Sequence, residues 1–303
     1  MLIYNNKPIT YNGLWLTVPQ PDPYNPLGLP PYTIRLRFTD GTVPVFRKGS
    51  AVQVSSSPNV WDLTYENENW RELLIGFDYA MHFNLLEIIG ANSTGVTNMS
   101  NLCMACEGLT TVALFDTSSV TNMSGMFYAC RQLAEVPLFD TGSVTNMNQA
   151  FSNCSSLATV PLFDTSSVTS FRETFASTGI TSVPLLDTSS ATDMFYMFSG
   201  CLLLAEVPLF DTSSATYLNG MLQQCYSLRV LPQFDLSSCL RMGNMCYGCE
   251  NIESGMLDMY RTASNLANVP THEGCFAYAG TSTASGQAER EQIPTSWGGD
   301  MYG

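Results

Sequence analysis

The stretch VPLFDTSSVTSF at residues 160–171 recurs in near copies: VALFDTSSVTNM (112–123), VPLFDTGSVTNM (136–147), VPLLDTSSATDM (183–194) and VPLFDTSSATYL (207–218). The aspartates mark the period: Asp116, Asp140, Asp164, Asp187, Asp211 and Asp235 stand 24, 24, 23, 24 and 24 residues apart. Asn92 takes the same place 24 residues before Asp116. A fixed period in the twenties marks a repeat array, in which each unit buries its apolar face only against its neighbours.

Counted from the aspartate as zero, apolar residues recur at offsets 4, 7, 10, 11, 14, 17, 20 and 22; in the second unit these are Val144, Met147, Ala150, Phe151, Cys154, Leu157, Val160 and Leu162. Offsets 4, 7, 11 and 14 have helical spacing, with Ser and Thr before them to cap. Offsets 17, 20 and 22 match the strand of a leucine-rich repeat. The expected fold is therefore α/β: a leucine-rich-repeat-like solenoid of about seven to eight coils over 85–251, each with a short parallel strand, a turn at Asp-Thr-Ser-Ser and a short helix. The coil around Thr178 is one residue short, and the missing residue is expected in a loop between helix and strand.

The ends read differently. Residues 1–32 form an arm with the proline-rich connector PQPDPYNPLGLPP (19–31). Residues 33–84 read as a β cap and a helix leading into the first coil. A hairpin is expected around Thr-Asp-Gly in YTIRLRFTDGTVPVF, further strands in AVQVSSS and NVWDLTYE, and the helix in NENWRELLIGFDYA. Residues 252–303 read as a helical cap, with helices in ESGMLDMYRTASNLA and in GQAEREQIP, the latter stopped by Pro294.

Of 303 residues 45% are hydrophobic, enough for a large core, but only 13% are charged, about half the usual share. With 12 basic against 26 acidic residues the net charge is −14. This disfavours nucleic acid and anionic membranes, which require a basic patch. The most apolar stretch, LLIGFDYAMHFNLLEIIGA (73–91), contains Asp78, His82, Asn84 and Glu87, so no membrane insertion is expected. The first residues lack the pattern of a secretory leader. The ten cysteines are then expected as thiols of a reducing compartment.

The repeat VALFDTSSVTNMSGMFYAC (112–130) is similar to the BspA-like leucine-rich repeats, a bacterial surface-protein repeat abundant in gut bacteria and in their phages and prophages. The resemblance covers about residues 85–251. The flanks YNPLGLPPYTIRLRF and AEREQIPTSWGG resemble the ends of the phage-type versions. The resemblance implies surface display and adhesion or receptor contact, with no enzyme activity.

Two C-x-x-C pairs, Cys103/Cys106 and Cys246/Cys249, suggest a zinc site at first sight. The period argues against it. Cys106, Cys130, Cys154, Cys201, Cys225 and Cys249 share offset 14, while Cys103 and Cys246 replace the phenylalanine of offset 11. The pairs lie six coils apart, about 29 Å, whereas zinc requires its sulfurs about 2.3 Å from the metal. Core packing is the expected role, with neither metal nor cofactor. The row Asn92, Asp116, Asp140, Asp164, Asp187, Asp211 and Asp235 reads as a ladder of turns, each side chain accepting backbone N–H groups, rather than as a calcium or sugar row. No nucleophile motif accompanies the two histidines, His82 and His272.

With offsets 20 and 22 inward, offsets 19, 21 and 23 face out. The first column, Thr111, Glu135, Thr159, Ser182, Glu206 and Val230, varies over a constant frame. The second is mostly proline. The third includes Phe139, Phe163 and Phe210, which either turn inward as a core spine or form an exposed stripe; both readings stand on the sequence alone. These columns are the candidate ligand face. The expected function is a non-enzymatic adhesion or receptor-binding module of a phage tail or fibre, assembled in the host cytoplasm and recognising a host glycan or surface protein. Other virion or surface subunits, or sister chains in a homo-oligomer, would be met through the arm. The alternatives are a structural assembly protein whose repeat face packs on itself or a neighbour, and a secreted bacterial adhesin at the cell surface.

Overall fold

The computed structural model describes residues 22–41, 43, 44, 46, 49–70 and 84–298 in full, and before them only the backbone of four two-residue strands. These are β1 (Ile3–Tyr4) paired with β2 (Lys7–Pro8), and β3 (Thr10–Tyr11) paired with β4 (Leu14–Trp15). The helix expected in NENWRELLIGFDYA lies, from residue 71 on, outside the described residues.

A mixed five-stranded sheet follows: β5 (Thr33–Phe38), β6 (Ser50–Ser56), β7 (Asn59–Thr64), β8 (Leu85–Asn92) and β9 (Thr111–Val112), in the order β6-β7-β5-β8-β9. Among the described residues the expected hairpin from β5 is not formed; residues 42 and 45 of its second arm lie outside them. Both edges of β5 are taken, by β7 and by β8, each antiparallel. Asp40 of the Thr-Asp-Gly turn instead accepts the backbone N–H of Asn59 (3.0 Å) at the start of β7. β5 alternates as its sequence requires. Ile34, Leu36 and Phe38 are buried, while Arg35 pairs with Asp62 (2.6 Å) and Arg37 with Glu87 (2.7 Å) across the outer face.

The expected α/β solenoid is overturned. The only parallel strand pair of the sheet is β8–β9, which joins Glu87 to Thr111 and Ile88 to Val112. Among the described residues, no helix or named strand lies between Val112 and Met256, and the two short helices, α1 (Met256–Ser264) and α2 (Ala284–Arg290), are both C-terminal. The repeats are runs of turns. They stack through single parallel bridges, Asn98 to Asn122 to Asn146 to Ser170 to Asp193 to Tyr217 to Arg241, extended by Asn69 at one end and Thr271 at the other.

The backbone shows why turns win where helix was expected. In the repeat beginning at Asn92, Met99, Asn101, Cys103 and Ala105 donate to carbonyls of the next repeat, at 3.0, 2.8, 2.8 and 2.6 Å. The residues between them close turns instead: Leu102 donates to Met99 (3.2 Å) and Met104 to Asn101 (3.3 Å). Offsets 9 and 13 have positive φ in every repeat, for example Gly125 (62°) and Ala129 (58°), Gln149 (57°) and Asn153 (62°), Gly220 (58°) and Gln224 (58°). A left-handed residue every fourth position excludes the α-helix. It also aims alternate N–H groups along the stack.

Side chains reinforce the stack in both directions. The buried hydroxyl of Thr141 donates forward to the carbonyl of Asp164 (2.7 Å), as Thr117, Thr165 and Thr188 do in their repeats. Thr145 donates backward to the carbonyl of Thr121 (3.2 Å). Inside, Phe127, Phe151, Phe175 and Phe198 form a column with centroids 5.9, 5.8 and 5.7 Å apart. Each such pair contributes about 0.5–1.5 kcal/mol beyond burial. The short repeat stays in register through this column. Its shortened connection passes so near the Ser155 carbonyl that only glycine, Gly179, fits.

The C-terminal segment returns to the stack after α1. Met242 donates to Thr271 (2.7 Å), Cys246 to Cys275 (2.8 Å) and Gly248 to Ala277 (2.8 Å), so residues 271–278 form one more run of turns. α2 clamps this end. Thr283 accepts the N–H of Gly286 (3.1 Å), and Glu289 accepts the N–H groups of Gly255, Met256 and Leu257 at the start of α1 (3.3, 2.9 and 3.1 Å).

Candidate functional site

The face after offset 17 holds the sequence-designated columns. Thr111, Glu135, Thr159, Ser182, Glu206 and Val230 are all exposed, side by side in successive repeats. Thr111 is the only one within a named strand, β9.

The phenylalanine column is different. Phe139, Phe163 and Phe210 are each 2% exposed, so they are core and do not belong to a ligand face. Phe163 packs on Phe151 (6.0 Å) and Phe210 on Phe198 (5.9 Å). The expected pleat, with offsets 20 and 22 inward, fails at its second member: Val160 is buried but Leu162 is exposed. The cause is local. Phe139, Phe163, Leu186 and Phe210 each donate N–H to the proline carbonyl two residues earlier, at 2.9, 2.9, 2.8 and 2.9 Å. This three-residue turn rotates its central residue outward and the next one inward.

The result is a row that sequence reasoning missed. Leu138, Leu162, Leu185 and Leu209 are 59, 62, 63 and 62% exposed, with Leu114 at one end and Gln233 at the other. The signal was the recurring Pro-Leu-Phe/Leu triplet: proline removes a ladder donor and presets the turn.

Two residues further on stands the aspartate of each repeat, exposed from Asp140 to Asp235 and half-buried at Asp116. Oδ1 of Asp116, Asp164, Asp187 and Asp211 accepts both the N–H and the hydroxyl of the serine two residues later; for Asp164 and Ser166 the distances are 3.1 and 2.7 Å. Asp140 and Asp235 accept the N–H of Gly142 and Ser237 (3.2 and 2.8 Å). The hydroxyls of Ser166 and Ser213 hold Asp164 and Asp211 below the ordinary carboxylate range, and the N–H of Ser237 does so for Asp235. Asn92 departs from the ladder. It ends β8, and its amide donates to the Leu29 carbonyl (2.8 Å).

The ten cysteines are all buried free thiols. Cys130, Cys154, Cys201, Cys225 and Cys249 donate Sγ–H to carbonyls of the preceding repeat, Cys154 to Phe127 at 3.1 Å. Thr178 fills the missing rung and donates to Phe175 (2.8 Å). Burial pushes Cys154 up to about 12 and Cys201 up to about 11. Among the described residues no three His, Cys, Asp or Glu side chains converge as metal ligands, and no helix is long and apolar enough to cross a membrane. A hollow lined by Asn219, Gly243, Asn244, Thr271 and Glu273 lies at the C-terminal end of the turn side.

No curated protein and no solved structure matches the chain. One family model does, over residues 71–182 and again over 159–260, together well over half the chain. At this coarse level the match agrees with the resemblance to BspA-like surface repeats. The chain belongs to the family described as Mycoplasma protein of unknown function, DUF285.

Proposed function

We propose that the chain is a non-enzymatic binding module displayed on a surface, its repeat face meeting a partner on another particle or cell. The observation that carries this reading is the repetition of one exposed set of groups in successive repeats over a buried core that varies little. Weak equal contacts along such a row add, which suits an extended target. The exposed leucines favour a protein target over a glycan, because a contiguous apolar row in water marks a protein contact. Within this reading the display platform is a phage tail or fibre, as the resemblance to phage-type repeats implies, and residues 1–32 supply attachment to it. Assembly against a neighbouring subunit is the competing role, and the same leucine row supports it.

The test is a pair of variants. Replacing Thr159, Ser182 and Glu206 with arginine should abolish binding of the purified chain to host cells and leave its incorporation into particles intact. Deleting residues 1–32 should do the reverse. Normal cell binding by the face variant would overturn the module reading.

A further inference from the structure

Leu138, Leu162, Leu185 and Leu209 run beside Asp140, Asp164, Asp187 and Asp211, each leucine separated from its aspartate by one buried residue. Leucine and aspartate of a repeat are two residues apart and both exposed, so the chain holds them within about 7 Å of each other and the two rows run side by side along the stack. The face thus carries an apolar row with an anionic row along one flank. Each turn uses Oδ1 of its aspartate, and none of these aspartates pairs with a basic side chain among the described residues.

We infer that this double row is a docking strip for a basic amphipathic helix of a partner protein, laid along the stack with its apolar edge on the leucines and its lysines or arginines against the aspartates. The inference rests on the binding-module reading and names its partner. The repeat distance selects a helix. Successive repeats are about 4.8 Å apart, and beside the row the rings of Phe115 and Phe139 are 5.2 Å apart. A helix lying along the row offers one side chain per turn, every 5.4 Å or so. An extended strand offers same-face side chains about 6.7 Å apart and drifts out of step within a few repeats. Charge selects a basic partner. It also disfavours a second copy, because two such faces would bring aspartates against aspartates or against Glu135 and Glu206. Salt-screened attraction along a row of carboxylates is the kind of contact that orients a helix.

The test uses the full chain and a synthetic helical peptide of about 18 residues, about 27 Å long, with leucines on one stripe and lysines on one flank. A second peptide carries glutamate in place of lysine, and a third is scrambled. Two variants probe the rows. D140N/D164N/D187N/D211N keeps an Oδ1 acceptor in each turn, as Asn122 and Asn146 do in their own turns. L138Q/L162Q/L185Q/L209Q copies Gln233 of the same column. Both should fold with unchanged circular dichroism.

The lysine peptide should bind, measured by fluorescence anisotropy. Its affinity should fall several-fold as salt rises from about 0.01 to about 0.15 M, which shortens the screening length from about 30 to about 8 Å. Each row variant should weaken binding about tenfold, a loss of about 1.4 kcal/mol. The asparagine variant should also lose the salt dependence. Equal binding of the glutamate or scrambled peptide, or unchanged binding by either row variant, would overturn the inference. So would a dimer in sedimentation that the leucine variant abolishes and the lysine peptide does not compete with, since the occupant is then a second copy. If the lysine peptide fails while the Thr159, Ser182 and Glu206 variant still loses host cells, this inference falls and the module reading stands.

Discussion

The backbone N–H of Phe163 donates to the carbonyl of Pro161 at 2.9 Å, and this single bond decides which of two adjacent apolar side chains is core. Phe163 turns in and Leu162 turns out. Phe163→Ala should therefore cost about 3–5 kcal/mol in urea unfolding, whereas Leu162→Gln should change stability by about 0.5 kcal/mol or less. A regular pleat would reverse the order of the two losses.

Asp164 serves its turn as an acceptor. Asp164→Asn keeps that role and should be nearly neutral near pH 7, while Asp164→Ala, which removes the acceptor, should lower the urea midpoint measurably. The two bonds from Ser166 hold the carboxyl below 3.8. The stabilisation is thus complete above that value and is lost as pH falls through the lower folded value. Acid titration of stability should show this loss in the parent chain and not in the asparagine variant.

The thiols should be silent in the native state. Iodoacetamide near pH 8 should label none of the ten cysteines rapidly in the folded chain, and all ten after denaturation without reductant, as read by intact mass. The folded chain holds the protons of Cys154 and Cys201 more tightly than the unfolded chain, whose reference is 9.0. Stability from these groups is full below pH 9 and falls as pH rises toward 11–12. The urea midpoint should drop between about pH 8 and about pH 10.5, and drop less in Cys154→Ala/Cys201→Ala.

Glu289 caps α1 from α2 by accepting three N–H groups. Glu289→Ala leaves these donors without that partner and should cost about 1–3 kcal/mol. Glu289→Gln, which keeps an oxygen and loses the charge, should fall between. Hydrogen exchange at Met256 and Leu257 should accelerate in the same order.

Some local elements outside the repeats were legible because capping and turn residues act locally. α1 lies within ESGMLDMYRTASNLA, α2 overlaps GQAEREQIP but starts two residues before it and ends at Arg290, short of Pro294, β6 falls on AVQVSSS to within one residue, and β7 lies within NVWDLTYE. The partners of β5 were not legible. Residues 43–46 follow it at hairpin distance, yet β7 and β8 take both its edges through contacts distant in sequence.

The sequence alone determined the period, the register of the short repeat and most of the buried columns, because a repeat that buries one face must place the same apolar residue at the same offset every time. It did not determine what conformation carries those columns. Apolar residues every three or four positions serve a helix, and they serve equally a run of left-handed turns. Half of the left-handed sites, such as Asn101, Gly125, Asn153 and Gly248, are glycine or asparagine and hint at turns; Gln149, Glu173 and Tyr196 hide it. The choice rests on where alternate N–H groups find acceptors. Those acceptors belong to the next repeat, so only the stacked tertiary structure makes turns cheaper than helix. The same holds for the face. The phenylalanines were offered to a ligand by strand alternation and were withdrawn into the core by a three-residue turn, which put leucines in the water beside the aspartates.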